Sequence, residues 1–227
     1  FAAALDVTGR TFHTGSQRLA SARLAREISL DGTPIAAGST LQLNAEGWLD
    51  PRRPDLLVAV TLAAPTVVAA PVRLEVPSGA TLGLDPQTGC IRDCSAAGEF
   101  SALGINARGP ARWNHRGQWL ELVLVAPITR GVFSLPAATR LRRLVVVPHF
   151  DSFTAHLPEP QGHPELGLVR ALQLDARLTR VTGANLDTDT ELHGSVLRGG
   201  VMPIPLDEEG RVDLPACQRL GLVSGAR

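Results

Sequence analysis

Apolar and polar positions alternate in short runs along much of the chain. Leu41 and Leu43 flank Gln42, and Val72, Leu74 and Val76 are separated by Arg73 and Glu75; Leu82 and Leu84 follow Ser78-Gly79. A period of two sends successive side chains to opposite faces of an extended backbone, so each run predicts a half-buried strand. Leu120, Leu122 and Leu124 alternate with Glu121, but Val123 and Val125 make the second face apolar as well. Leu144-Val145-Val146-Val147 is continuously apolar, the pattern of a strand covered on both sides.

A turn recurs between these runs. An apolar residue, Asn or Asp, two polar residues, Gly, any residue and another apolar one occur at Leu43–Leu49, Trp113–Trp119 and Leu206–Val212. A form one residue longer occupies Leu84–Ile91. Asn or Asp opens a type I turn by bonding its own backbone, and Gly closes it in the left-handed region. Such turns join antiparallel strands, so glycines 47, 89, 117 and 210 are predicted at hairpin tips with positive φ. Gly38-Ser39-Thr40-Leu41-Gln42-Leu43 also lies over Gly79-Ala80-Thr81-Leu82-Gly83-Leu84. The pair suggests an internal repeat of roughly 40 residues, a length used by stacked β-units. The predicted fold is all-β: repeated β-hairpin units forming a sandwich or stacked small sheets, with at most one short helix.

Pro158-Glu-Pro-Gln-Gly-His-Pro164 reads as a linker, dividing a hairpin-repeat region (1–157) from a β-rich C-terminal segment (164–227), which could still belong to one domain. Beyond it, Ala171, Leu174, Leu178 and Val181 fit a helical stripe, whereas Leu172, Leu174, Ala176 and Leu178 fit a strand. The β surroundings favour the strand.

Composition narrows the function classes. The 227 residues carry 22 Lys+Arg and 22 Asp+Glu, a formal net charge of +0, which argues against a partner held by phosphate neutralisation. No apolar run approaches the roughly 20 residues that span a bilayer as a helix. Every basic residue is Arg, so no lysine is available for a phosphate-binding loop or a Schiff base. Aromatics make up 4%, too few for a sugar-binding or base-stacking platform.

Four groups of residues could carry chemistry. Asp187, Asp189, Glu191 and His193 share one face if extended, offering hard oxygen ligands for calcium or manganese. The same charges equally suit a solvated sheet edge. His149, Asp151 and His156 follow the apolar Val run and could bind a metal or pair a base with its orienter. Trp48, Trp113 and Trp119 flank hairpin turns, either as lids on the sheet or as an interface for a partner. Cys90 and Cys94 are close enough in sequence for a local disulfide, with free buried thiols as the alternative. A disulfide would suit an oxidising compartment, and an exported or cell-surface protein is expected; the first residue is Phe rather than Met, which fits either a removed leader or a missing start.

No nucleophile elbow or other catalytic signature is present. The expected role is therefore non-enzymatic: a scaffold, an assembly subunit or a module that holds a protein partner, itself or another chain. No cofactor is expected apart from calcium or manganese at the acidic face. Two rival readings are a metal-dependent hydrolase using either His/Asp group and a small-ligand or lipid-binding β protein.

Overall fold

The structure is a computed structural model that describes residues 6–15, 17–44, 56–69, 72–147, 150–186, 188–200 and 202–225. It is nearly all-β, with large antiparallel sheet, small hairpin sheets and one short helix, as the hydrophobic pattern predicts. The chain forms two compact units: residues 1–100 with 108–119, and residues 101–107 with 120–227.

The first unit contains β1 (Val7–Phe12), β2 (Leu19–Leu24), β3 (Ile28–Leu30), β4 (Thr33–Ile35), β5 (Thr40–Leu43) and β6 (Leu57–Thr61). It continues with β7 (Thr66–Val68), β8 (Leu74–Val76), β9 (Thr81–Leu84) and β10 (Ile91–Cys94); β11 (Phe100–Ala102) and β12 (Ile105–Trp113) reach the division between the units. Its sheet runs β1-β2-β5-β6-β9-β10 and then residues 108–113 of β12, antiparallel throughout. Between β2 and β5 the chain leaves the sheet to make the β3–β4 hairpin, and between β6 and β9 it makes β7–β8.

One device governs both departures. Leu24 N–H donates to Ser39 O (2.9 Å), Gly38 N–H to Leu24 O (2.8 Å) and Ser39 N–H to Ala36 O (3.3 Å). Leu62, Gly79, Ala80 and Pro77 repeat the set at 2.9, 2.9 and 3.3 Å. Gly38 and Gly79 adopt φ of +84° and +80°, a region costly for residues with a β-carbon, which explains their shared place in the two sequence copies. The hairpins cover the apolar face of the sheet: Leu30, Ile35, Val68 and Leu74 join Leu41 and Leu82 in one core. Each such fully buried side chain contributes about 1.5–3 kcal/mol over an exposed one. Adjacent hairpins are tied laterally. Thr66 Oγ1 donates to Pro34 O (2.7 Å), Thr33 Oγ1 accepts from Ala69 N–H (3.1 Å), and Ser39 Oγ accepts from Ala63 N–H (3.0 Å).

The predicted turns close the other end of the strands. Gly89 and Gly117 have φ of +74° and +73°. Asp85 Oδ1 accepts from the N–H of Gln87 and Thr88 (2.9 Å each), and Asn114 Oδ1 from that of Arg116 and Gln118 (3.0 Å each). A similar turn at His13–Arg18 carries Gln17 at φ +53° in the glycine position. Gly47 lies outside the described residues.

The second unit takes β13 (Trp119–Leu124) from Leu120 onward, then β14 (Ile128–Arg130), β15 (Phe133–Leu135), β16 (Arg140–Val147), β17 (Phe150–His163) and β18 (Gly167–Asp175). It ends with β19 (Val181–Asn185), β20 (Thr190–Leu192), β21 (Ser195–Leu197), β22 (Ile204–Pro205), helix α1 (Leu214–Arg219) and β23 (Val223–Gly225). Its sheet runs β13-β16-β17-β18-β19-β22. β14–β15 leaves the sheet by the same three hydrogen bonds: Leu124 N–H to Thr139 O (2.9 Å), Ala138 N–H to Leu124 O (2.8 Å) and Thr139 N–H to Pro136 O (3.3 Å). This third copy has Ala138, at φ +65°, in place of the glycine.

The proline-rich segment read as a linker is the far end of β17. Gln161, Gly162 and His163 pair with Val169, Leu168 and Gly167. The stretch open to helix or strand is strand β18 followed by β19. Gly210 closes its predicted turn at φ +79°. A β-carbon there would fall 2.6 Å from Val132 Cγ2 and 2.9 Å from Phe133 Cε2, so close packing as well as conformation demands glycine. His163, buried and stacked on Phe133 at 5.6 Å, holds that turn: Nε2 donates to Gly210 O (2.8 Å) while Nδ1 accepts from Glu165 and Leu166 N–H (3.2 Å each).

Candidate interaction site

Several of the described residues singled out in the sequence are engaged in holding the fold. Trp113 is 1% exposed; its Nε1 donates to Ile91 O (2.9 Å) inside the first unit's core. Trp119 packs edge-on against it at 6.0 Å and stacks on Phe100 at 4.9 Å. The expected tryptophan interface is therefore corrected for Trp113, whose inward position on β12 makes it a core residue, while Trp119 is half-buried among aromatic neighbours. Trp48 lies outside the described residues.

The disulfide expectation is also corrected: Cys90, Cys94 and Cys217 are all free thiols. β10 runs extended from Ile91 to Cys94, and four residues of strand span about 13 Å, well beyond the roughly 7 Å that a disulfide tolerates between α-carbons. Cys94 points into the core, where burial, opposed by a hydrogen bond with the Ala111 backbone, pushes its thiol up to about 11. The cysteines accordingly give no reason to place the protein in an oxidising compartment.

Asp151 and His156 stand five positions apart on β17, an odd separation that sends them to opposite faces. Arg143 donates from Nε and Nη2 to the two oxygens of the Asp151 carboxylate, and this bidentate pair holds its pKa below the usual carboxylate value. His156 pairs across the ladder with Arg140. Burial first, then the charges of Arg142 and Arg140, lower its pKa, with Glu121 opposing them. The two residues are thus not brought together as a base and its orienter. His149 lies outside the described residues.

Asp187 is also outside them. Of its three companions, Asp189 Oδ1 accepts from Gly199 N–H (2.9 Å), Glu191 is exposed on β20, and His193 forms a two-residue hairpin tip with Gly194, at φ +49° and +75°. Among the described residues no group of three or more His, Cys, Asp or Glu is placed to hold a metal ion.

The surface with the form of a binding site lies on the first unit, over the β7–β8 hairpin. Alternation along Thr66-Val67-Val68 buries Val68 completely and leaves Val67 37% exposed. Leu74 is buried between Arg73 and Glu75, which both face outward, and Glu75 sits directly across the ladder from Val67. Gly98 N–H donates to Glu75 O (2.9 Å) and draws the following segment alongside.

These elements enclose a shallow groove of about 430 Å³ lined by Pro65, Val67, Val76, Pro77 and Ala97. Pro65, Thr66 and Val67 also border a second depression of about 530 Å³ beside Pro34, Ala69 and Arg73. Thr66 and Thr33 spend their hydroxyls on the neighbouring hairpins, so the floor offers little unsatisfied hydrogen bonding. The lining is mainly apolar, and among the described residues that line it the charged ones are Arg73 and Glu75. The outward Val67 was readable in the sequence as an apolar residue next to the buried Val68, but only the hairpin at this point reveals which of the two faces water.

The chain matches no protein family, no curated protein and no solved structure.

Proposed function

We propose that this protein is a non-enzymatic interaction module, a scaffold or assembly subunit, that engages a protein partner through the outer face of the β7–β8 hairpin. The supporting observation is the pair of depressions that share Val67, carried on a hairpin tied to its neighbours by the hydrogen bonds of Thr66 and Ala69. A rigidly held apolar strip with few unmet polar groups loses little entropy on association and suits a shape-matched protein surface. A photo-crosslinking residue placed at Val67 in the native host is expected to trap protein adducts that the same residue at Ala59, on the opposite face of the sheet, does not trap. Equal yields of adduct at both positions would overturn the reading.

A small-ligand role has one feature in its favour. A separate depression of about 440 Å³ at the turn end of this unit is lined by Leu30, Leu57 and Leu84, with Gln87 and Thr88 at its polar side. Saturable binding of an environment-sensitive apolar dye, lost in Leu57→Arg, is the expected behaviour on that reading.

A further inference from the structure

We propose that the outer face of the β7–β8 hairpin is a contact between two copies of this chain related by a twofold axis. This rests on reading that face as an interaction site and names its occupant. Arg73 and Glu75 lie two positions apart on one edge of the hairpin, with the buried Leu74 between them, so both project outward about 7 Å apart. Neither forms an ion pair with its own chain among the described residues.

A twofold axis lying in the interface and crossing the strand midway between them sets each Arg73 over the other copy's Glu75. Symmetry then supplies the ionic contact twice, the self-complementarity that an isologous interface requires. Val67, across the ladder from Glu75, supplies the apolar centre. Pro65 and Pro77 contribute no N–H that burial would leave unpaired. A formal net charge of +0 adds no overall repulsion between copies.

The patch is small. Three-residue strands, two abreast, extend only about 10 Å in each direction, so the contact falls below the roughly 800 Å² per partner of stable complexes. A weak dimer, with a dissociation constant on the order of 0.1 mM, is the consequence.

Sedimentation equilibrium on the intact chain tests this. Arg73→Glu and Glu75→Arg each create two like-charge contacts across the axis, and each is expected to weaken dimerisation about 10-fold or more. The double variant restores opposite charges and is expected to recover wild-type association within about 3-fold. Mixing the two single variants is the sharpest arm: each associates more weakly alone than the wild type, yet together they form a heterodimer with two correct pairs. A wild-type chain that stays monomeric to about 1 mM, single reversals without effect, or a mixture that fails to associate would each overturn the proposal. Adducts at position 67 with a different protein, found alongside a monomeric chain, would retire the dimer while leaving the interaction-module reading intact.

Discussion

Pro158 takes in the second unit the place that Ala63 holds in the first, and the hydroxyl of Thr139 is orphaned as a result. Thr40 pairs with Thr61 and Arg140 with His156, so the residues two positions on, Ala63 and Pro158, are equivalent. Ala63 N–H donates to Ser39 Oγ; proline has no N–H, and Thr139 Oγ1 is buried without a partner.

Thr139→Val should therefore stabilise the protein by about 1 kcal/mol, because it removes an unsatisfied buried hydroxyl at nearly constant shape. Ser39→Ala, which strips a used acceptor, should destabilise by about the same amount. Denaturant midpoints at constant m-value distinguish the two directions, and a loss of stability in Thr139→Val would refute the equivalence.

Arg143 stands where the repeated copies have Leu43 and Leu84, which are both buried. Its side chain is 10% exposed, lies over the Phe153 ring at 5.6 Å and is neutralised by Asp151. Leucine at 143 should consequently be tolerated within about 1 kcal/mol, whereas Asp151→Ala, which leaves a poorly solvated guanidinium unpaired, should cost about 1–2 kcal/mol after allowance for the exposed carboxylate. Thermal unfolding of the two variants provides the comparison.

Two turns place other residues in the glycine position. Gln17, exposed at φ +53°, should gain about 0.5–1 kcal/mol on replacement by glycine. Leu178 has φ +57° but is fully buried, so Leu178→Gly trades a similar relief for the loss of a core side chain and should destabilise by about 2 kcal/mol or more. If both glycine variants moved stability in the same direction, burial would not be what retains Leu178.

The turn carboxylates give stability an acid limit. Backbone hydrogen bonds, that from Thr88 foremost, lower the pKa of Asp85. At Asp175 burial pushes upward, but hydrogen bonds from Thr179 and Arg180 outweigh it. A folded-state pKa below the unfolded value means that each contribution is present above the ordinary carboxylate pKa of about 3.9 and is lost as pH falls through the depressed folded value. Asn114 caps its turn without titrating. The double variant Asp85→Asn with Asp175→Asn should accordingly show a shallower fall of stability below about pH 4 than the parent, measured by urea midpoints across the acid range.

The strands and glycine-closed turns were legible because their causes are local. Leu41-Gln42-Leu43 alternates on its own, and Gly89, Gly117 and Gly210 announce a backbone conformation without reference to any neighbour. The turns at Gln17 and Leu178 and the third repeat at Ala138 are not legible in the sequence, because residues with side chains occupy the left-handed positions there. The two-residue tips Asp31-Gly32 and His193-Gly194 carry only a short local signal, a single residue before glycine. The candidate site was the least legible part. Whether Val67 or Val68 faces water, and whether a tryptophan beside a turn covers the core or a partner, depends on which face of each strand the hairpin layer covers.

One border of each sheet sets a limit of another kind. At β1 the ladder is broken by irregular register around Gly9, which has φ +53°, and β22 is only two residues long and includes Pro205. A kinked margin and a proline-bearing stub are poor templates for recruiting further strands. Sideways addition of strands is thereby discouraged at β1 and at β22, and a closed twofold contact through the hairpin layer would end at two copies.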